Sequence, residues 1–130
     1  MTSGRDGVPR KRVLVVDDES DFLVTYERLL RRQGYEVITA STRAAALAAV
    51  AAGELQLVIS DVRLPDGDGF DVVRAARAAS IALPVIVVTG YPSDDTRRAA
   101  TAAGATTFLA KPFAADSLVA AVRASLGDGA

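Results

Sequence analysis

Five short apolar runs, separated by segments of helical character, constrain the fold more than any other feature of the sequence. They cover residues 13–16, 37–38, 57–59, 85–88 and 108–109. The first, third and fourth are unbroken and β-branched, which is typical of strands covered on both faces in a parallel sheet. The second and fifth are weaker, so we predict that they form the edges of the sheet.

The segments between these runs have the pattern of amphipathic helices. In the first, apolar side chains share one helical face, at Phe22, Leu23, Tyr26, Leu29 and Leu30. Gly34 follows as a stop signal. A similar face near the end comprises Leu118, Val119, Val122 and Leu126. Residues 44–52 and 70–79 are good helix formers, and five strands alternating with helices predict an α/β sandwich with right-handed crossovers.

The fourth helical segment, residues 93–103, contains Ala, Thr, Asp and Arg but no Leu, Ile, Val or Phe. Such a helix buries little apolar area, so little free energy holds it in place. Two interpretations stay open. It is an alanine-rich helix packed close to the sheet, or it is a segment able to shift.

Length and charge limit the classes of protein that fit. A chain of 130 residues suits one domain, and we predict one over residues 11–127, with flexible segments at 1–10 and 128–130. We find no export signal and no apolar stretch long enough to cross a bilayer, and therefore expect a cytoplasmic location. The net charge of −1 gives no indication of nucleic-acid binding. Arg5, Arg10, Lys11 and Arg12 fit a solvated tail better than a DNA-binding arm.

Two residue types are absent from the sequence, which has no Cys and no His. Disulfides, thiol catalysis and thiolate metal sites are thereby excluded. The chain itself cannot carry a phosphohistidine. Any nucleophile must be Asp, Glu, Ser, Thr, Tyr or Lys.

Polar residues follow the strands at the points where the strands end. Asp17 and Asp18 follow the first run, Asp61 comes after the third, Thr89 after the fourth and Lys111 after the fifth. In an open parallel sheet, ligands bind beyond the carboxyl ends of the strands. We therefore predict that three carboxylates, one hydroxyl and one ammonium group share a single site.

The charges of this group predict its chemistry. Two carboxylates about 4 Å apart repel by ~4 kcal/mol at an effective dielectric constant of about 20, so such a cluster takes up protons or binds a cation. Ligands that are all oxygen suit Mg²⁺ or Mn²⁺. A carboxylate nucleophile beside such a cation forms an acyl phosphate. Lys111 and Thr89 are then candidates to contact the phosphoryl oxygens.

Each of these residues alone has an ordinary explanation. An Asp after a strand is often a helix cap, and a lone Thr or Lys at a strand end is usually a surface residue. The joint pattern across four strands is much more specific. Its motifs are Val15-Val16-Asp17-Asp18-Glu19, Asp61-x-x-x-Pro65-x-x-x-Gly69, Val87-Val88-Thr89-Gly90 and Phe108-Leu109-Ala110-Lys111-Pro112-Phe113.

In this order and spacing, the motifs resemble those of the receiver domains of two-component response regulators, over residues 12–126. The resemblance implies a flavodoxin-like (βα)5 three-layer sandwich whose parallel sheet has the order 2-1-3-4-5. Asp61 is then the phosphoacceptor. Asp18, Asp61 and the backbone carbonyl of Arg63 are expected to bind Mg²⁺ directly, and Asp17 largely through water.

The resemblance also implies how the phosphoryl signal is used. Thr89 contacts the phosphoryl group and Lys111 pairs with the Asp61 region. Phe108 matches an aromatic residue that moves inward when Thr89 shifts, although it also fits an ordinary core aromatic on an edge strand. The peptide bond between Lys111 and Pro112 is expected to be cis.

The expected donor is a sensor histidine kinase or a histidine phosphotransfer protein, and the downstream target is an unidentified protein. We expect no direct contact with nucleic acid or membrane, and a monomer or a phosphorylation-dependent dimer. Phosphorylation would switch the face made by the fourth helix, fifth strand and fifth helix. Apart from catalysing its own phosphorylation and dephosphorylation, the chain is not expected to be an enzyme.

A phosphatase and a docking module are the alternatives to this function. A phosphatase like the haloacid dehalogenases needs a nucleophile and an acid two positions apart after the first strand, whereas Asp17 and Asp18 are adjacent. An unphosphorylated docking module would not require the acidic residues, all of which are present. Arg63 and Tyr91 are bulky residues two positions after Asp61 and Thr89. In similar domains such residues flank the phosphoryl group, so we predict that they screen it from water.

Overall fold

A computed structural model describes residues 10–128. Five strands form one sheet: β1 Arg12–Val16, β2 Glu36–Ala40, β3 Leu57–Asp61, β4 Val85–Thr89 and β5 Thr107–Ala110. The helices are α1 Ser20–Arg32, α2 Arg43–Ala52, α3 Phe70–Ala79, α4 Asp94–Ala103 and α5 Ala115–Leu126. Within the described range, no helix has both the length and the apolar character that crossing a bilayer requires. Most of the predicted flexible segments, residues 1–9 and 129–130, lie outside the described residues.

The sheet has the order β2-β1-β3-β4-β5 and all its neighbouring strands are parallel, which confirms the predicted topology. The two weaker runs do form the edges. One element was not predicted: Arg63–Leu64 and Gly67–Asp68 form a two-residue antiparallel pair between β3 and α3. Segments this short leave no hydrophobic alternation in the sequence.

Helices cover both faces of the sheet, and each face has its own core. Leu14 and Val16 of β1 pack into a core with α2, α3 and α4, whereas Val13 and Val15 pack into a core with α1 and α5. All four side chains are at most 1% exposed. Burying each contributes about 1.5–3 kcal/mol, which explains why β1 is apolar at successive positions.

Side-chain caps and glycines set the helix boundaries. The hydroxyl groups of Thr42 and Ser93 cap α2 and α4 by accepting from the N–H groups three residues later. Gly34 follows α1 with φ of +94°, as the predicted stop signal requires. Helix α3 covers the predicted residues 70–79 without change.

Helix α4 is held by few apolar contacts, since Ala100 and Ala103 are its only buried residues. Arg77 of α3 adds a polar contact, because its Nη2 donates to the Gly104 carbonyl at 2.6 Å. The helix is therefore alanine-rich and contacts α3. Its two buried alanines belong to the same core as Val85 and Val87 of the sheet, which agrees with the interpretation of a helix packed close to the sheet. The proposed shift of α4 stays a prediction.

Side-chain contacts hold the described end of the chain against the start of β1. Asp128, which the sequence assigned to a flexible end, accepts from Lys11 Nζ at 2.7 Å and from the Tyr35 hydroxyl at 3.0 Å. The Lys11 ammonium lowers the pKa of Asp128. Burial, followed by the hydrogen bond to Asp128, raises the pKa of Tyr35 to about 12.

Candidate functional site

The carboxyl ends of β1 and β3 bring the predicted acidic residues together. Asp17 is fully buried and its backbone N–H donates to the Ala40 carbonyl at 3.1 Å, which continues the pairing of β1 with β2. Asp18 and Glu19 follow it and are exposed. Asp61 is the last residue of β3 and is 8% exposed.

Four carboxylates form one cluster at this edge. Oxygen atoms of Asp17, Asp18, Glu19 and Asp61 all lie within 4.8 Å of one another. Within the described residues, the buried Asp17 Oδ2 has no hydrogen-bond partner. A hard, oxygen-only ligand set of this kind fits Mg²⁺. Glu19 was quoted in the sequence motif but was not assigned to the site, although its adjacency to the acidic pair was a usable signal.

Lys111 reaches this cluster from the loop after β5. Its Nζ lies 2.7 Å from Asp17 Oδ2, 2.9 Å from Asp61 Oδ2 and 3.2 Å from Glu19 Oε1. The contact with Asp17 is an ion pair without hydrogen-bond geometry, whereas that with Asp61 is a hydrogen bond. The Lys111–Pro112 peptide bond is cis, as predicted.

Burial and charge act in opposite directions on these groups. Burial raises the pKa of Asp17, although the nearby Lys111 ammonium offsets part of that rise. Burial alone would lower the pKa of Lys111, but the carboxylates of Asp17 and Asp61 outweigh it, so the pKa of Lys111 is raised. The site therefore holds a fixed cation beside an excess of negative charge, and it can accept a second cation.

Thr89 ends β4 but does not face the cavity of the site. Its side chain is buried, and its Oγ1 accepts from the Tyr91 N–H at 3.0 Å. The Lys111 N–H donates to the Thr89 carbonyl at 2.7 Å, so the two loops are joined through their backbones. Of the five predicted chemical groups, the structure brings four side chains together and directs the Thr89 hydroxyl to its own loop.

The cluster opens into a cavity of about 540 Å³. Its walls are Asp18, Glu19, Phe22, Asp61, Arg63, Gly90, Tyr91, Lys111 and Pro112. The Arg63 guanidinium stacks on the Tyr91 ring, with Cζ 4.1 Å from the ring centroid. The two residues predicted to screen the acceptor therefore contact each other at the rim.

Two features of the site went unassigned in the sequence. Phe22 of α1 lies under Lys111, with Nζ 4.1 Å from its ring centroid, and it also packs against Phe113. Its helical spacing indicated only a core position. Gly69 lies against β3, where an added Cβ would be 1.9 Å from the Asp61 carbonyl oxygen. No other residue fits there without backbone movement.

Phe108, the proposed switch residue, is partly buried on the opposite side of β5 from Leu109. Its ring packs against the core under α2, α3 and α4, whereas Leu109 packs against the other core. The Arg97 guanidinium of α4 covers the Phe108 ring, with Cζ 4.6 Å from its centroid. Both interpretations of Phe108 remain compatible with this position.

Comparison with protein families identifies a match to the "Response regulator receiver domain" family over residues 13–123. Among curated proteins, the Mycobacterium tuberculosis "Transcriptional regulatory protein PrrA" is 44% identical over 120 residues, which cover 92% of this chain and 52% of that protein. The chain therefore spans about half the length of this relative. The Caulobacter vibrioides "Cell cycle transcriptional regulator CtrA" is 32% identical, with 87% and 49% covered.

Solved structures agree with this match. A CheY-like receiver domain protein from Methanospirillum hungatei JF-1 is 30% identical, with a TM-score of 0.87 over 92% of this chain and 95% of that one. A response regulator from Burkholderia pseudomallei, described with a phosphorylated aspartic acid, a calcium ion and citrate, is also 30% identical. Its TM-score is 0.82, over 91% of this chain and 69% of that one.

Proposed function

Because the chain belongs to the response regulator receiver domains of two-component systems, we propose that it accepts a phosphoryl group on Asp61. The observation that carries this proposal is the Lys111 ammonium 2.9 Å from Asp61 Oδ2, inside a cluster of carboxylates that opens into a cavity. A carboxylate so placed is accessible on one side and paired on the other. It can therefore act as a nucleophile while the ammonium receives developing negative charge.

The proposed donor is a phosphohistidine on a sensor histidine kinase or a histidine phosphotransfer protein. An Asp61 carboxylate oxygen forms a bond to phosphorus while the bond from phosphorus to the donor imidazole nitrogen breaks, and the electron pair of that bond stays on the imidazole. Lys111 then pairs with the acyl phosphate instead of the free carboxylate. No water or additional reactant takes part in the transfer.

Mg²⁺ is the proposed cofactor, held by Asp18, Asp61 and the Arg63 carbonyl directly and by Asp17 through water. Mn²⁺ has the same ligand preferences. The bound cation neutralises charge on the phosphoryl oxygens. The Burkholderia relative supports this assignment, because its description includes both a phosphorylated aspartic acid and a divalent cation.

The output is proposed to follow from Thr89. Its hydroxyl leaves the Tyr91 N–H, donates to the phosphoryl group and vacates space into which Phe108 turns. The face made by α4, β5 and α5 then changes its population of conformers. Weak apolar anchoring of α4 supports this step, since Ala100 and Ala103 are its only buried residues.

We propose that this face signals to a partner protein, with the chain as a monomer or a phosphorylation-dependent dimer. The relatives named as transcriptional regulators support transcriptional control as the output. A pull-down with and without beryllofluoride identifies the partner: we expect a protein captured only when the phosphoryl mimic is present. Equal capture in both states would contradict the proposed switch.

Acetyl phosphate with Mg²⁺ tests the acceptor directly. We expect one labile phosphoryl adduct by intact mass spectrometry, absent from Asp61→Asn and from samples with a chelator. Asp116→Asn is the matched control, because Asp116 is an exposed acid at the start of α5 and does not line the cavity. A stable adduct, or one that persists in Asp61→Asn, would reject Asp61 as the acceptor.

The same reaction separates this function from a phosphatase. We propose self-catalysed phosphorylation and dephosphorylation only, so each chain gains one phosphoryl group and loses it slowly by hydrolysis. Multiple turnover of an unrelated phosphoester would instead favour an enzyme like the haloacid dehalogenases. An unmodified chain that still captures its partner would favour a docking module.

A further inference from the structure

A tight hairpin, here called the 63–68 hairpin, projects from the phosphoacceptor. Arg63 pairs with Asp68 and Leu64 pairs with Gly67, so residues 65 and 66 form its tip. At its base the Arg63 N–H donates to Asp61 Oδ1 at 3.3 Å. The hairpin therefore carries the Arg63 carbonyl, a proposed cation ligand, at one end and an exposed acidic tip at the other.

The tip is bound to the N-terminus of α2. Asp66 Oδ1 accepts from the Arg43 N–H at 2.6 Å, and Oδ2 accepts from the Ala44 N–H at 2.9 Å. First-turn N–H groups have no partner inside their own helix. The Thr42 hydroxyl satisfies only the next one, that of Ala45, at 3.1 Å. The same two donors to Asp66 hold the pKa of its carboxyl below the usual range.

The Arg43 side chain strengthens this attachment. Its Nε donates to Asp71 Oδ2 of α3 at 2.8 Å. The Arg43 side chain packs directly against Gly67, where an added Cβ would lie 2.6 Å from Arg43 Cδ. Helix α2 therefore contacts the hairpin through backbone and side chain together.

The other side of the hairpin is open. A groove of about 540 Å³ separates it from Thr96 of α4, and hairpin residues Arg63, Leu64, Gly67 and Asp68 line that groove. The buried Leu64 side chain fixes the hairpin to the core. On the α4 side the Arg63 side chain stacks on Tyr91 at the base of the hairpin, whereas the tip is held by hydrogen bonds from α2.

We propose that Asp66 is a positioning residue that places the Arg63 carbonyl and thereby sets the affinity of the site for divalent cations. This inference rests on the proposed function, because it takes the Arg63 carbonyl as a cation ligand. A hairpin with two residue pairs has little internal freedom, so release of its tip displaces its base. Asp66 itself does not line the cavity.

Titration calorimetry with Mg²⁺ on the full chain tests the proposal. For Asp66→Ala we expect affinity to fall about three- to tenfold, less than the roughly 10- to 100-fold typical for loss of a group bonded to a metal ligand. Thr42→Ala is the matched control, because it removes a cap from the same helix and leaves the hairpin contact. The Mg²⁺ affinity of Thr42→Ala should stay within about twofold of that of wild type.

A second readout distinguishes positioning from a general loss of structure. With acetyl phosphate, the Mg²⁺ concentration that gives half the maximal phosphorylation rate should rise in Asp66→Ala, while the rate at saturating Mg²⁺ equals that of wild type. Asp66→Asn keeps one acceptor oxygen, so its Mg²⁺ affinity should lie between those of Asp66→Ala and wild type. If Asp66→Ala does not fold, the Mg²⁺ affinity of Asp66→Asn provides the test.

The outcomes separate the two proposals. Equal Mg²⁺ affinities for Asp66→Ala, Asp66→Asn and wild type would overturn the role of Asp66 and leave the acceptor function intact. A fall of the same size in Thr42→Ala would also overturn it, since helix stability would then be the cause. Absence of Mg²⁺ binding by wild type, or unchanged binding by Asp61→Asn, would instead overturn the proposed function.

Discussion

Arg63 and Tyr91 form the rim of the cavity that contains Asp61, and their stacking makes them a single unit. The guanidinium lies 4.1 Å from the ring centroid, while 64% of Tyr91 is exposed to solvent. A stacked pair limits the paths by which water reaches an acyl phosphate more than two independent side chains would. Neither residue belongs to the carboxylate cluster.

We therefore expect the double variant Arg63→Ala/Tyr91→Ala to lose its phosphoryl group faster than wild type, on the order of threefold or more. The measurement is the decay of phosphorylated protein after removal of acetyl phosphate. Arg98→Ala, an exposed arginine on α4, is the control and should decay at the wild-type rate. An unchanged rate in the double variant would reject the screening role.

The sequence predicted which residues form the site better than it predicted the orientation of their side chains. Carboxylates after β1 and β3 and an amine after β5 must meet, because parallel strands bring their carboxyl ends to one edge. The Thr89 hydroxyl had two partners within reach, a phosphoryl group or its own loop, and the pattern of residue types does not choose between them. Asp66 went unassigned because its partners are backbone N–H groups of a distant helix, which no pattern of residue types indicates.

Among the elements, α4 depends on Arg77 because it has so little apolar contact of its own. One guanidinium donates to three carbonyl groups, those of Ser80 at 3.3 Å, Ile81 at 2.6 Å and Gly104 at 2.6 Å. These bonds tie the C-terminal end of α4 to the end of α3. The N-terminal end of α4 borders the groove beside the 63–68 hairpin.

Arg77→Met keeps the apolar stem and removes the guanidinium. We expect it to lower the free energy of unfolding by about 1–2 kcal/mol, because the hydrogen bonds are charged but partly exposed. Hydrogen exchange of the α4 amides should accelerate more than that of β1. Arg98→Met, whose partner Asp95 is on the same helix surface, should change stability by less than about 0.5 kcal/mol. Equal exchange of α4 in both variants would contradict this role of Arg77.

The elements themselves were largely predictable. Short apolar runs and helical spacing predicted five strands and five helices in the observed order, and the weaker runs are the edge strands. The 63–68 hairpin was missed because its pairs are set by backbone hydrogen bonds, with no side-chain periodicity to indicate them. The arginine bridge to Gly104 was missed for the same reason, since its acceptors are carbonyl groups.

For the whole molecule, contacts between the two ends of the described chain contribute a pH-dependent part of the stability. Asp128 accepts from Lys11 and Tyr35, which joins the end of α5 to β1 and to the start of β2. The pKa of Asp128 is lowered by folding. Its stabilising effect is therefore present above the ordinary Asp pKa of 3.8 and is lost as pH falls below that value.

Asp128→Asn should lower the free energy of unfolding at pH 7 by roughly 0.5–1 kcal/mol, since the pair is partly exposed. In urea unfolding, the difference from wild type should persist as pH falls towards about 4 and narrow below it. Asp116→Asn, an exposed acid at the start of α5, is the control. A difference that is the same on both sides of pH 3.8 would contradict the assignment.

The sheet divides the interior into two cores, and this division affects how the sequences of such domains can diverge. Neighbouring residues of β1 point into separate cores, one beneath α1 and α5 and the other beneath α2, α3 and α4. Substitutions that reshape one side share few packing partners with the other, and their effects on stability should be nearly additive. The surfaces on opposite sides of the molecule can therefore change independently in evolution, while the carboxylate cluster at their common edge is retained.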